Sequence, residues 1–419
     1  MHELQNNGEW DLEEALFLSF NVNLGFFERG ILGLCRAMGA RVTVVADAHM
    51  WEPDVMALKG AGTEFLVGLA AHSAAFHPKL ILLVGPKRVF VAIGSGNLTM
   101  GGWQNNSELW QIVTGNVDEC PKIVTEIAQW LKDLSGEIPL PQASVKALNR
   151  VSHHVHEIVK KVPGTETNQH LIHNLDQSII SQLPSGPVDQ LTLAAPFFDN
   201  TGAAVSALLK RFQPAKLTLI LQPDVVFANP EALATVCVGE WELEVLADNS
   251  SRYRHAKLIE WSTGSDYNAL IGSANLSTAA LLKSAKGGGN VELSILTSMD
   301  KPLWPEPELD PRNYTKIEDL AALTCHAPSD YPADLYAMKL RPMLFSVERK
   351  GEHVEIEISA TATYVLDVEY SNSPANNEWT QLGPISSGAK SARFTTREVG
   401  ESAILRLRWT DPAVTRRGG

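Results

Sequence analysis

Between Glu14 and Asp47 the spacing of hydrophobic positions changes twice. EALFLSF is almost wholly apolar and reads as a buried strand, NLGFFERGILGLCRAMGA has the spacing of an amphipathic helix, and RVTVVAD returns to a strand. AAFHPKLILLVG (74–85) is another apolar run, broken by His77 and Lys79. In an extended chain these two side chains share a face, so His77–Val84 is read as a strand that aims an imidazole and an ammonium at one spot. GPKR then reads as a turn and VFVAIGSGN as the return strand, which brings Ser95 and Asn97 beside His77 and Lys79. PKIVTEIAQWLKDL follows as a helix with proline in its first turn. From about residue 340 the pattern alternates with period two in HVEIEISA, YVLDVEYS, ARFTTREV and AILRLRWT, which predicts a small antiparallel β-sandwich.

The first pattern recurs. His-x-Lys occurs twice, at His77–Lys79 and His255–Lys257, and seventeen residues separate each lysine from an asparagine, Asn97 in GSGNLT and Asn275 in GSANLS. His, Lys, Ser95/Ser273 and Asn all repeat at an offset of 178. Upstream, LTLAAPFFDNTGAAVSALLKRFQPAKLTLILQPD repeats the strand–helix–strand reading at the same expected offset, and downstream Glu108 and Glu292 both sit in Asn-x-Glu-Leu. The chain therefore reads as an internal duplication of one α/β unit. The expected divisions are a first repeat at 1–140, a helical connector at 141–188, a second repeat with a Pro-rich strap (KPLWPEPELDPRNY) at 189–335, and the accessory sandwich at 340–419.

Composition adds limits. The 419 residues are 44% hydrophobic and 20% charged, enough for a sizeable core, and no apolar run approaches the ~20 residues of a membrane span. The polar, acidic start lacks the apolar segment of a secretory signal, and four scattered cysteines without CxxC read as reduced thiols, so a cytoplasmic location is expected. A net charge of −13 argues against a surface coated with nucleic acid but allows a local basic cleft.

Each repeat supplies an imidazole, an ammonium, a carboxamide and a hydroxyl, with a glutamate on the next strand able to orient an imidazole. Two lysines and two asparagines make a clamp for an anion with several oxygens, which points to phosphate. Two histidines across a phosphodiester give a two-step route: one attacks phosphorus and the other protonates the leaving oxygen, then activates water. That route calls for no metal or other cofactor. The paired H-x-K…GS-x-N motif resembles the phospholipase D superfamily, whose fold sets two such motifs face to face. The resemblance covers roughly residues 10–300. The usual motif has aspartate five residues after the lysine; here Val84 and Ser262 stand there. In this the chain is similar to tyrosyl-DNA phosphodiesterase and to the superfamily's metal-independent restriction-type nucleases, in which a glutamate follows as Glu108 does here.

The resemblance implies two pseudo-symmetric α/β/α halves and a nuclease acting on nucleic acid, DNA ahead of RNA, without a membrane. A role in phage defence is an analogy only. Phospholipid hydrolysis or phosphatidyl transfer, and a non-catalytic phosphate-binding scaffold, are the alternatives. His77, Lys79, Asn97, Glu108, His255, Lys257, Asn275 and Glu292 are the expected catalytic set, with Ser95, Ser273, Arg252 and Arg254 expected on the substrate. The resemblance makes His77 the nucleophile, whereas Arg252 and Arg254 near His255 would favour the neutral form of that ring. SHHVHE (His153, His154, His156) reads as a solvated helix rather than a metal site. KSAKGGGN (283–290) reads equally as a phosphate-gripping loop or a connector; Lys283 and Lys286 are candidates for a basic cleft. Trp103, Trp110 and Trp261 are candidates for base stacking or packing. The C-terminal sandwich is a candidate docking surface for a protein partner.

Overall fold

The computed structural model describes residues 11–50, 58–160, 164–248, 251–304, 314–316, 319–328, 342–359, 361–372, 378–400 and 403–408. Two mixed sheets dominate. The first holds β1 (Glu14–Ser19), β2 (Arg41–Asp47), β3 (Leu66–Ala70), β4 (Leu80–Val84), β5 (Arg88–Gly94) and β6 (Trp110–Asn116), in the order β3-β2-β1-β4-β5-β6. The second adds β7 (Gln169–His173), β8 (Val188–Ala194), β9 (Pro214–Leu221), β10 (Glu242–Asp248), β11 (Leu258–Thr263), β12 (Asp266–Gly272), β13 (Leu293–Met299) and β14 (Tyr314–Lys316). Its central order, β10-β9-β8-β11-β12-β13, repeats the first sheet strand for strand, with β14 and β7 added at the edges. In both sheets the first three strands are parallel, and the hairpin and final strand run antiparallel.

The strand registers refine the repeat. Leu80 and Leu258, which pair with Leu18 and Ala194, keep the offset of 178. The upstream strands are equivalent at 176, because the second copy is two residues longer between β8 and β11 than the first is between β1 and β4. Residues 141–188 contribute more than the expected helices, since β7 closes the edge of the second sheet against β13. Most of the expected proline strap lies outside the described residues.

Helices α1 (Lys122–Glu137) and α2 (Gln142–Val159) each follow a proline and bury one apolar stripe. That stripe packs on β1, β4 and β5 and reaches Val291, Leu293 and Ile295 of the second half, so one core spans both repeats. A helical segment over 24–37 covers the other face of the first sheet. The second sheet is covered by α3 (Ala203–Phe212) and α4 (Pro230–Val236). The halves meet where β5 and β6 face β12 and β13, which brings the two hairpins together.

Six C-terminal strands form two three-stranded antiparallel sheets: β15 (Leu344–Lys350), β16 (His353–Ile358) and β19 (Ser391–Thr395) in one, and β17 (Leu366–Ser371), β18 (Thr380–Ile385) and β20 (Ile404–Arg408) in the other. Alternate residues, including Val354, Ile356, Leu366 and Val368, close the core between them.

Candidate active site

The residues His77–Lys79 and His255–Lys257 precede their strands rather than belonging to them, since β4 begins at Leu80 and β11 at Leu258. The backbone explains why. His77 N donates to Val291 O, and His255 N donates to Ser107 O, so each histidine is held by the other half. The chain leaves its own sheet to make that bond. Just ahead of each histidine lies a second anchor: Phe76 N donates to Asp47 Oδ2 at 2.5 Å, and Arg254 N to Gln222 Oε1 at 2.7 Å.

The glutamates cross over as well. His77 Nδ1 lies 2.9 Å from Glu292 Oε2, and His255 Nδ1 lies 2.9 Å from Glu108 Oε1. Each imidazole is thus oriented by the carboxylate of the other repeat. Around Glu108, Ser95 Oγ donates at 2.5 Å and Asn106 Nδ2 at 3.0 Å. Around Glu292, Ser273 Oγ and Asn290 Nδ2 do the same. An ionised carboxylate only accepts, so Nδ1 carries the proton in each ring and Nε2 keeps its lone pair. Two α/β halves of like strand order thus bring both motifs to one place.

Solved structures of similar backbone include yeast tyrosyl-DNA phosphodiesterase, with a TM-score of 0.49 and 11% identity over 76% of this chain and 94% of that one. Phosphatidylserine synthase from Haemophilus influenzae matches at 0.46 and 11% identity, over 80% of this chain and 89% of that one. Polyphosphate kinase from Porphyromonas gingivalis matches at 0.41 and 12% identity, over 78% of this chain and 48% of that one. No family model matches the chain, and no curated protein matches it in sequence.

His77, His255, Asn97 and Asn275 line one cavity of about 530 Å³. Lys79 and Lys257 are buried behind them, each ammonium donating to the carbonyl of its own histidine, Lys79 to His77 O at 2.8 Å and Lys257 to His255 O at 2.7 Å. Lys257 Nζ also lies 3.1 Å from His255 Nε2, whereas His77 Nε2 has no hydrogen-bond partner among the described residues. Asn275 Oδ1 is buried without a partner among the described residues.

Burial dominates the electrostatics. It pushes both histidines down to about 4, against the pull of Glu292 on His77 and of Glu108 on His255. Burial also lowers Lys257 to about 7, and it carries Lys79 well below the usual lysine value with help from the Lys257 ammonium. For Glu108 and Glu292 burial acts upward. The hydrogen bonds and charges of the histidines, lysines and serines outweigh it and hold both below the usual carboxylate range. At neutral pH the site therefore holds two neutral imidazoles over two carboxylates.

Four expected substrate contacts are corrected. Ser95 and Ser273 face the glutamates, and their oxygens also accept from Leu109 N and Leu293 N, so they position carboxylates. Arg254 is buried with Nε 2.6 Å from Asp248 Oδ2 and its guanidinium over Trp304. Arg252 donates to the carbonyls of Gln104, Asn105 and Asn106, bracing one half on the other. Arg252 is drawn away from the cavity by carbonyls of the other half, and Arg254 by a carboxylate of its own half.

Other candidates resolve similarly. The 283–290 loop is a connector: its amides at Ala285, Lys286, Gly287, Gly288 and Gly289 all donate within the protein. Lys286 pairs with Asp176 and Glu137 at the surface. Trp261 is buried against Phe212, and Trp103 packs edge-on to Phe26. Trp110 lies under Gly96, where a Cβ would come within 2.8 Å of the indole. The histidines of SHHVHE lie on α2; His153 is exposed and His156 Nδ1 bonds Ser152 O.

Sequence reasoning did not assign Asn106, Asn290, Asp47, Gln222 or Asn174. The asparagines could have been found, because both copies place them two residues before the glutamate. Asn174, which accepts from Glu292 N at 2.8 Å, lies outside the matched motif and carried no signal.

Proposed function

We propose that the protein is a metal-independent phosphodiesterase that cleaves nucleic acid through a phosphohistidine. The observation that carries this reading is the crossed pair of His–Glu dyads opening into one cavity over two buried lysines. His77 Nε2, with its lone pair free, attacks phosphorus, and the P–O bond to the leaving group breaks. His255 protonates that oxygen. Its proton comes from Lys257, once the anionic phosphodiester between the rings favours the imidazolium. His255 then takes a proton from water, the water oxygen attacks phosphorus, and the P–N bond to His77 breaks. The asymmetry at Nε2 supports His77 as nucleophile. The contrary influence of Arg252 and Arg254 falls away, because both are engaged elsewhere.

Lys79, Lys257, Asn97 and Asn275 supply the charge stabilisation that a metal gives in other phosphodiesterases. Among the described residues no group of three His, Cys, Asp or Glu side chains is placed to hold a metal ion, and no helix is long and apolar enough to cross a membrane.

Incubation in EDTA with labelled single-stranded DNA, duplex DNA, RNA and phosphatidylcholine vesicles tests this. Cleavage of a nucleic acid is expected. Activity that appears only on adding magnesium or manganese rejects the mechanism, and turnover of the vesicles alone favours a phospholipid enzyme. With a good leaving group, His255→Asn should accumulate an adduct on His77, visible by intact mass and peptide mapping. An adduct on His255 in the His77→Asn protein reverses the roles.

A further inference from the structure

The catalytic groups obey the internal symmetry, but the walls beside them do not. Bridges between Val22 and Leu98 and between Phe198 and Leu276 make Asn21 and Phe197 equivalent positions. The bonds from Val291 N to Ala75 O and from Ser107 N to Tyr253 O do the same for Ala75 and Tyr253. All four residues line the cavity. The first repeat thus places a carboxamide and a methyl where the second places a phenyl and a phenol.

The aromatic wall is organised around His255. The Phe197 ring stands 6.5 Å from the imidazole at 87°, and the Tyr253 ring lies 5.7 Å away. Phe197 stacks on Phe227 at 4.9 Å and 19°, and Phe227 continues to His326 at 5.1 Å and 29°. Phe197 and Phe227 are only half-buried. Beside His77 the described aromatic is Phe20, which is buried, with the Lys79 ammonium over its ring. A ring entering the cavity therefore meets the half-buried Phe197, Phe227 and Tyr253 on the His255 side, and on the other Asn21, Ala75 and Met50 with a Phe20 ring that is almost wholly buried.

We infer that the wall formed by Phe197, Phe227 and Tyr253 is a stacking subsite for a planar ring on the departing side of the scissile phosphate, a nucleobase in a nucleic acid. The assignment of side rests on the proposed role of His255 as the acid that protonates the leaving oxygen. The aromatic subsite itself rests on geometry alone. Base–aromatic stacking tolerates any base, so this wall fits unpaired strands whose bases can turn out of a helix.

Two measurements test it. Calorimetric titration with phenyl phosphate and cyclohexyl phosphate compares two groups of similar size that differ in the π face. Phenyl phosphate should bind roughly tenfold tighter, as stacking of about 1–3 kcal/mol implies. Phe197→Leu and Tyr253→Leu, on separate loops and each checked by its thermal transition, should erase that ratio, and Asn21→Ala should keep it. Equal binding of the two phosphates by the native protein overturns the subsite.

The second measurement uses oligonucleotides with one abasic residue next to a single cleavage point. Loss of the base on the departing side should lower kcat/KM roughly tenfold, by the same stacking term, while loss on the other side should cost little. Equal losses on both sides overturn the assignment of side. A phenyl preference with no cleavage of any oligonucleotide overturns the nucleolytic reading and the nucleobase, and leaves the aromatic subsite standing.

Discussion

His77 and His255 each have a glutamate carboxylate behind Nδ1 but different neighbours at Nε2. That difference sets a pH dependence. The nucleophile must be neutral, and burial keeps His77 neutral down to about 4, so kcat/KM should fall as pH drops through that value. Lys257 must be charged to hold phosphate and supply its proton; its value of about 7 makes the rate fall as pH rises through neutrality. The profile should be a bell between the two limbs, whose apparent values belong to the coupled site. Lys257→Arg keeps a cation that can hold phosphate but yields no proton, so turnover should fall and the alkaline limb near neutrality should disappear; an unmoved limb assigns it to another group. The backbone anchors give a second expectation. Asp47 and Gln222 fix the residue ahead of each histidine through a side-chain oxygen. Asp47→Asn keeps an acceptor and Asp47→Ala removes it, so the alanine variant should lose more kcat with KM little changed. Equal activity of the two would remove Asp47 from positioning.

At the level of elements, each hairpin carries a histidine, and the segment ahead of the opposite half's last strand carries its glutamate. Glu292→Gln should therefore impair His77 and slow formation of the covalent adduct, and Glu108→Gln should impair His255 and slow its breakdown. Stopped-flow bursts separate these: a diminished burst for the first, a preserved burst with slow turnover for the second. The loss should be at least on the order of 10²-fold, given that a carboxylate holding a catalytic histidine's tautomer can be worth about 10⁴. Matching kinetics for the two variants would mean the rings exchange roles. Gly272 shows how closely these elements pack, since a Cβ there would come within 2.4 Å of Leu293 O on β13. Gly94 makes the same room in the first half, where a Cβ would come within 2.4 Å of Leu109 O.

For the whole molecule, the cavity is lined by both α/β halves, and among the described residues the C-terminal sheets contribute none of its lining. The sandwich touches the first half through Phe345, buried against Ala46, Ala48, Leu69 and Ala71. A chain ending at residue 328 should keep phosphodiester turnover and lose stability, with roughly 1.5–3 kcal/mol traceable to Phe345 alone. A fall in melting temperature with turnover retained is the expected result. Abolished turnover in a chain that still melts cooperatively would give the sandwich a part in the chemistry.

The duplicated strand order and the pairing of His-x-Lys with a later asparagine were legible in the chain, because a repeated local pattern encodes a repeated local structure. Hydrophobic spacing also marked α1 and the C-terminal strands, whose apolar periods match their buried faces. Which glutamate serves which histidine was not legible. Nor were the fates of Arg252, Arg254, Ser95 and Ser273, or the aromatic wall at Phe197 and Tyr253. The crossed glutamates and Arg252 depend on the surface one half presents to the other, from Ser107 against Arg254 to Phe76 against Val291, while Arg254, the two serines and the aromatic wall depend on how strands and loops pack within one half. Hydrophobic period and motif spacing describe a residue's neighbours along its own strand. The chemistry here lies between strands from opposite halves of the chain, and only their packing decided it.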